Sequence, residues 1–177
     1  MKLHKITWSF AVFIIISASF MRQVLNLLQS LSSYSTVIWL LWFCFLVTAF
    51  FLVRPHYQSR QYAKLAASLA VFGAVIVIAI NIRNPVERLH LLEYGILGWF
   101  AARDFFAGKK IIGFLYALVF CICVSVVEET FQYFLPYRVG DPGDVALGAL
   151  GATWGIVLFS TILISSPKES TEISIDG

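Results

Sequence analysis

Six apolar runs divide the chain, at residues 6–21, 37–53, 65–82, 89–102, 111–127 and 145–165. Most sit near the lower limit of about 17–25 residues for a helix that crosses a bilayer. A soluble fold has nowhere to put them. The chain is 59% hydrophobic and 13% charged, against about 45–50% and 25% for an ordinary soluble domain. A globule of this size keeps too much of its surface wet to hide the surplus, so a soluble enzyme and a disordered chain are both excluded. The pattern predicts an all-α fold: a polytopic transmembrane helical bundle of about six spans, forming a single membrane domain over 1–177. The run at 89–102 is too short alone, and spans only with the polar residues before it at the interface.

Between the first two runs, Val24, Leu27, Leu28 and Leu31 fall at helical spacing among Gln23, Asn26 and Gln29. That segment, 22–36, reads as a surface helix after the first span or as an extension of it. Lys2, His4 and Lys5 before an apolar stretch ending at Ser17-Ala18-Ser19 have the look of a secretory signal. Apolar character continues through Phe20 and Met21, so retention of the first span is expected. Cys44, Cys121 and Cys123 lie inside apolar runs with no metal or disulfide spacing, and read as small buried hydrophobes.

The net charge of +3 is too small to argue for nucleic acid. Its distribution says more. With six spans and the N-terminus inside, nine basic residues fall on inner segments: Lys2, Lys5, Arg54, Arg60, Lys64, Arg103, Lys109, Lys110 and Lys168. Four fall outside: Arg22, Arg83, Arg88 and Arg138. The bias predicts two cytoplasmic termini in the cell membrane. Glu87, Glu93, Glu128, Glu129, Asp141 and Asp144 then all lie on the outer side.

Those outer carboxylates belong to three polar clusters. In the first, Asn84 is a candidate N-cap, Pro85 suits the first helical position, and Glu87 can close a capping box. His90 and Glu93 follow on one face, one to two turns into the span, where ionisable groups are costly and face protein or a wet cavity. In the second, the adjacent Glu128 and Glu129 repel unless one is protonated, paired or metal-bound. Glu129 shares a face with Gln132, Glu128 is expected to point elsewhere, and Pro136 and Arg138 follow. In the third, Pro142-Gly143 makes a turn and Asp144 is a candidate N-cap for the last span. Gly148, Gly151 and Gly155 then form a small-residue face that lets another helix approach closely.

The order Glu87-Arg88-x-His90-x-x-Glu93-Tyr94-Gly95, then Glu129-x-x-Gln132, Pro136-x-Arg138, Asp144 and a glycine-spaced last helix resembles the VanZ-like membrane proteins. The resemblance covers about 84–159. It departs at Glu128, where the family often has aspartate, and at Gly148, where it often has asparagine. The resemblance implies a polytopic envelope protein linked, in some members, to low-level resistance to the glycopeptide teicoplanin.

The residues themselves describe a polar site at the outer mouth of the bundle. One expectation is an enzyme acting on a lipid or lipid-linked envelope substrate. His90 and Glu93 would be its acid/base pair, with Glu129 and Asp144 a second acid/base or metal group. Arg138 would clamp a phosphate or carboxylate, with Gln132, Tyr94 and Arg88 as further substrate contacts. A divalent cation there would be magnesium, manganese or calcium rather than zinc, given one histidine among several carboxylates. The alternative is a non-catalytic accessory protein, whose network holds the bundle together or binds a precursor or a membrane-protein partner. A transporter fits poorly, because the inner half of the bundle carries almost no polar residues.

Overall fold

The computed structural model describes residues 3–31, 34–58, 62–82, 87–106, 110–136 and 140–163. These residues form seven helices: α1 (Lys5–Ser17), α2 (Met21–Leu31), α3 (Tyr34–Gln58), α4 (Tyr62–Asn81), α5 (Arg88–Phe105), α6 (Lys110–Tyr133) and α7 (Pro142–Leu163). Among the described residues, three stretches are long and apolar enough to cross a membrane: Tyr62–Asn81, Ile111–Tyr133 and Pro142–Thr161. That is three fewer than the six expected, and two of the three have a physical reason. The first run yields only the 13-residue α1, about 20 Å of helix against a hydrocarbon core of about 30 Å. It stops where Ser17 and Ser19 turn their hydroxyls back onto the carbonyls of Ile14 and Ile16, a local bond that competes with continued helix. Its continuation is the separate, amphipathic α2. A second exception, α5, carries Arg88, Glu93, Arg103 and Asp104 within 18 residues.

Low hydropathy suits α5 because protein, not lipid, surrounds it. It packs most extensively on α7, then on α6, with α1, α3 and α4 completing its surroundings. Leu91, Tyr94, Leu97, Ala101 and Ala102 are all buried. The outer helices present Trp39, Phe43, Phe51, Ile111 and Val119 outward, a surface that suits a lipid solvent.

Glycine sets the α5–α7 distance. A Cβ at Gly155 would collide with the carbonyl oxygen of Gly95, and one at Gly98 with that of Ala152. A Cβ at Gly151 would come within 2.9 Å of the His90 carbonyl oxygen. The small-residue face of the last helix is thus covered by α5 of the same chain and is not free for a partner protein. Trp154 completes the joint, its indole N–H donating to the Leu91 carbonyl at 2.8 Å.

The far end of α5 is tied down differently. Asp104 Oδ2 accepts from the Thr7 hydroxyl at 2.6 Å and from the His4 backbone N–H at 2.7 Å, and Oδ1 accepts from Arg103 Nε at 3.1 Å. Asp104 thereby binds a free N–H at the start of α1, where a negative charge also suits the helix dipole. Burial disfavours its charge, but the bonds from Thr7, His4 and Arg103 outweigh it and hold the carboxyl below its ordinary range. A folded-state pKa below the unfolded one stabilises above the ordinary carboxylate range, and the contribution is lost as pH falls through the folded value. Asp104→Ala should therefore cost about 1–3 kcal/mol at neutral pH. Acid below about pH 4 should loosen α1 in the wild type. Hydrogen exchange of α1 amides in detergent checks both; protection indifferent to pH and to the substitution would refute the tie.

Candidate functional site

At the opposite end of α5, about 21 Å from Asp104 at 1.5 Å per residue, three helices bring their polar residues together. α5 begins at Arg88, with Glu87 at the cap position and no side-chain capping bond. The expected start three residues earlier, with Glu87 closing a box inside the helix, is therefore corrected; Asn84 and Pro85 lie outside the described residues. His90 consequently sits in the first turn rather than one to two turns deep. It is nonetheless buried, at 8% exposure, because α6 and α7 cover it.

α7 starts differently from the sequence reading as well. Asp141, not Asp144, is its N-cap: Asp141 Oδ1 accepts from the Gly143 N–H at 2.7 Å. Pro142 fills the first helical position, where its missing N–H costs nothing. Asp144 lies in the first turn with its side chain released from capping, and its Oδ2 comes 3.5 Å from His90 Nε2. The close α5–α7 contact makes that approach geometrically available.

α6 supplies the carboxylates. Glu128 Oε2 accepts from the Tyr94 hydroxyl at 2.7 Å and lies 3.9 Å from His90 Nδ1. The Gln132 amide donates to Glu128 Oε1 at 3.0 Å and to Glu129 Oε1 at 3.2 Å. Glu129 Oε2 accepts the Asp141 N–H at 2.9 Å, which ties α6 to the turn before α7. Glu128, expected to point elsewhere, is therefore at the centre and 3% exposed. The available signal was Gln132, four residues on and so on the Glu128 face as well as the Glu129 face.

The remaining candidates separate. Tyr94 is fully buried and joins the cluster through Glu128. Glu93 lines a cavity of about 20 Å³ with His90, Glu128, Ser17, Ala18, Met21 and Leu89, room for about one water. Its carboxylate is not among the described hydrogen-bond or ion-pair partners of His90, whose neighbours are Glu128 and Asp144. Arg88 turns away, donating to the Ile82 carbonyl at 3.0 Å with its guanidinium 5.9 Å over the Trp42 ring. Arg138 lies outside the described residues.

The arrangement can do two kinds of chemistry. His90 stands between two carboxylates, the setting in which an imidazole exchanges protons. One ring nitrogen of His90 and one carboxylate oxygen each from Glu129 and Asp144 also lie within 4.8 Å of one another, so these three residues could hold a metal ion. No curated protein and no solved structure matches the chain. A family model does, and it reaches well beyond the 84–159 segment where the resemblance was first visible. It takes in α1 to α4 as well as the three helices that build the polar cluster. With the match running over residues 6–164, the chain belongs to the VanZ/LLP1 family.

Proposed function

We propose that this protein is a multi-pass membrane protein of the cell envelope. Its polar site faces the extracytoplasmic side and acts on the headgroup of a lipid or lipid-linked envelope substrate. The observation that carries the reading is the convergence of His90, Glu128, Glu129 and Asp144 from three helices at one end of an apolar bundle. Polar groups near lipid are costly to maintain, and such clusters mark functional sites. The inner-to-outer charge bias supports the orientation, as does the placement of Asp104 and the α1 N-terminus at the opposite end of α5. Cysteine placed at Tyr137 should accordingly react with an impermeant thiol reagent added outside intact cells. Labelling only after the cells are opened would overturn the orientation.

In this reading His90 transfers protons, held by Asp144 and Glu128. The cavity beside it admits a water but not a headgroup, so substrate engages from the mouth, on the side of the partly exposed Asp144. Arg138, two residues after Pro136, grips the substrate anion. Arg138→Lys keeps the charge but loses the planar fork that binds a phosphate or carboxylate in two places. The substitution should abolish the envelope phenotype, read as glycopeptide susceptibility, at unchanged protein abundance. Wild-type behaviour of Arg138→Lys would remove the clamp. A second reading, a non-catalytic accessory protein, is favoured by one observation. The Tyr94–Glu128–Gln132 chain is a buried network of the kind that also serves structure alone.

A further inference from the structure

The distances around His90 point to an occupant between the imidazole and the carboxylates. Nε2 to Asp144 at 3.5 Å and Nδ1 to Glu128 at 3.9 Å are both longer than good hydrogen bonds. Among the described residues Nδ1 has no hydrogen-bond partner at all, in a side chain nine-tenths buried. Nδ1 faces Glu128, so it is the nitrogen left to carry the N–H toward a carboxylate when Nε2 faces an ion, the arrangement usual for a ligating histidine. Two ligands of one cation, each about 2.1–2.4 Å from it, stand about 3–3.9 Å apart at angles between 90° and 110°. That is the separation of His90 from Asp144.

We propose that His90, Glu129 and Asp144 bind one divalent cation of hard to borderline character, with Mn²⁺ as its best probe. The donor set is one imidazole and two carboxylates, which favours manganese or magnesium over the thiolate-preferring metals. Each ligand comes from a different helix, and each is positioned from behind. Gln132 and the Asp141 N–H fix the two oxygens of Glu129. Release of Asp144 from capping, which Asp141 performs instead, leaves its carboxylate for the ion. Such supporting bonds orient ligands and raise affinity. With the ion bound, His90 would serve as a ligand in place of transferring protons, and the ion would neutralise the carboxylates at the site and polarise a substrate phosphate or carbonyl oxygen. The inference rests on the site described above but not on its substrate, since ion binding is read with no substrate present.

The test is titration of the purified full-length protein in detergent with MnCl₂, following loss of the free-ion electron paramagnetic resonance signal. One ion per chain should bind, with a rise in the melting temperature. His90→Gln, Glu129→Gln and Asp144→Asn should each weaken binding at least tenfold, while Glu87→Gln leaves it unchanged. Nitrogen-14 modulation in the pulsed spectrum of bound Mn²⁺ would report the imidazole directly in the wild type, whatever the variants do to folding. Absence of that modulation, no binding up to millimolar Mn²⁺, or unchanged affinity in folded ligand variants would overturn the proposal. Ion binding with no envelope phenotype would instead uphold the metal site and count against the lipid-substrate reading.

Discussion

Gly155→Leu should all but eliminate the folded protein. A Cβ at this position meets the Gly95 carbonyl oxygen, with the Gly95 carbonyl carbon at 2.8 Å and the Trp99 nitrogen at 3.0 Å. All three are backbone atoms of α5, so no side chain can swing aside and only separation of the two helices relieves the clash. Overpacking of a close-packed contact costs about 1–3 kcal/mol even where side chains adjust. Here the loss extends to the whole α5–α7 joint, the largest helix contact in the bundle, including the Trp154–Leu91 hydrogen bond. Abundance in the membrane fraction and thermal unfolding in detergent are the measurements. Accumulation near the wild-type level would mean that the two helices do not approach as described.

Glu128→Ala should be the most damaging substitution among the polar residues. It removes the acceptor for the Tyr94 hydroxyl and one of two acceptors for the Gln132 amide, both donors being 1% exposed or less. An orphaned buried donor costs about 1–3 kcal/mol, and the vacated volume adds to it, for a total of about 3–5 kcal/mol. A double-mutant cycle isolates the contact. Tyr94→Phe removes the stranded hydroxyl, so in the Glu128→Ala background it should cost about 1–2 kcal/mol less than in the wild type. Strictly additive losses would show that the two side chains do not depend on each other.

Much of this site was readable from residue order and spacing. Ionisable groups in apolar segments have few places to go, so His90, Glu129 and Asp144 could be picked out, and the glycine spacing showed that α7 lets another helix close in. The misreadings share a cause. Helix spacing alone points Glu128 away from Glu129, but Gln132 reaches both neighbours, and an amide with two donors can serve two carboxylates. One turn holds two aspartates, Asp141 and Asp144, and local pattern does not say which of them caps the helix. The partner for the glycine face was on the same chain, a tertiary fact with no local signature. Nothing local marks the tie that Asp104 makes, because its partners, His4 and Thr7, lie about a hundred positions earlier. The shortness of α1 and the burial of α5 reflect a competition between hydropathy and packing that apolar run length alone does not weigh.

The central claim is that the cluster at the α5–α6–α7 end performs the protein's function and does not merely hold the helices together. His90 separates the two, because its Nδ1 has no hydrogen-bond partner among the described residues and its Nε2 meets only the Asp144 carboxylate at a long 3.5 Å, whereas Glu128 and Tyr94 are structural partners. The decisive measurement compares His90→Ala with wild type for membrane abundance, melting temperature in detergent and glycopeptide susceptibility of the same cells. Function at this site predicts abundance close to wild type, a melting temperature lowered by a few degrees at most, and complete loss of the envelope phenotype. A phenotype that persists, or that declines only in proportion to the amount of protein, would contradict it.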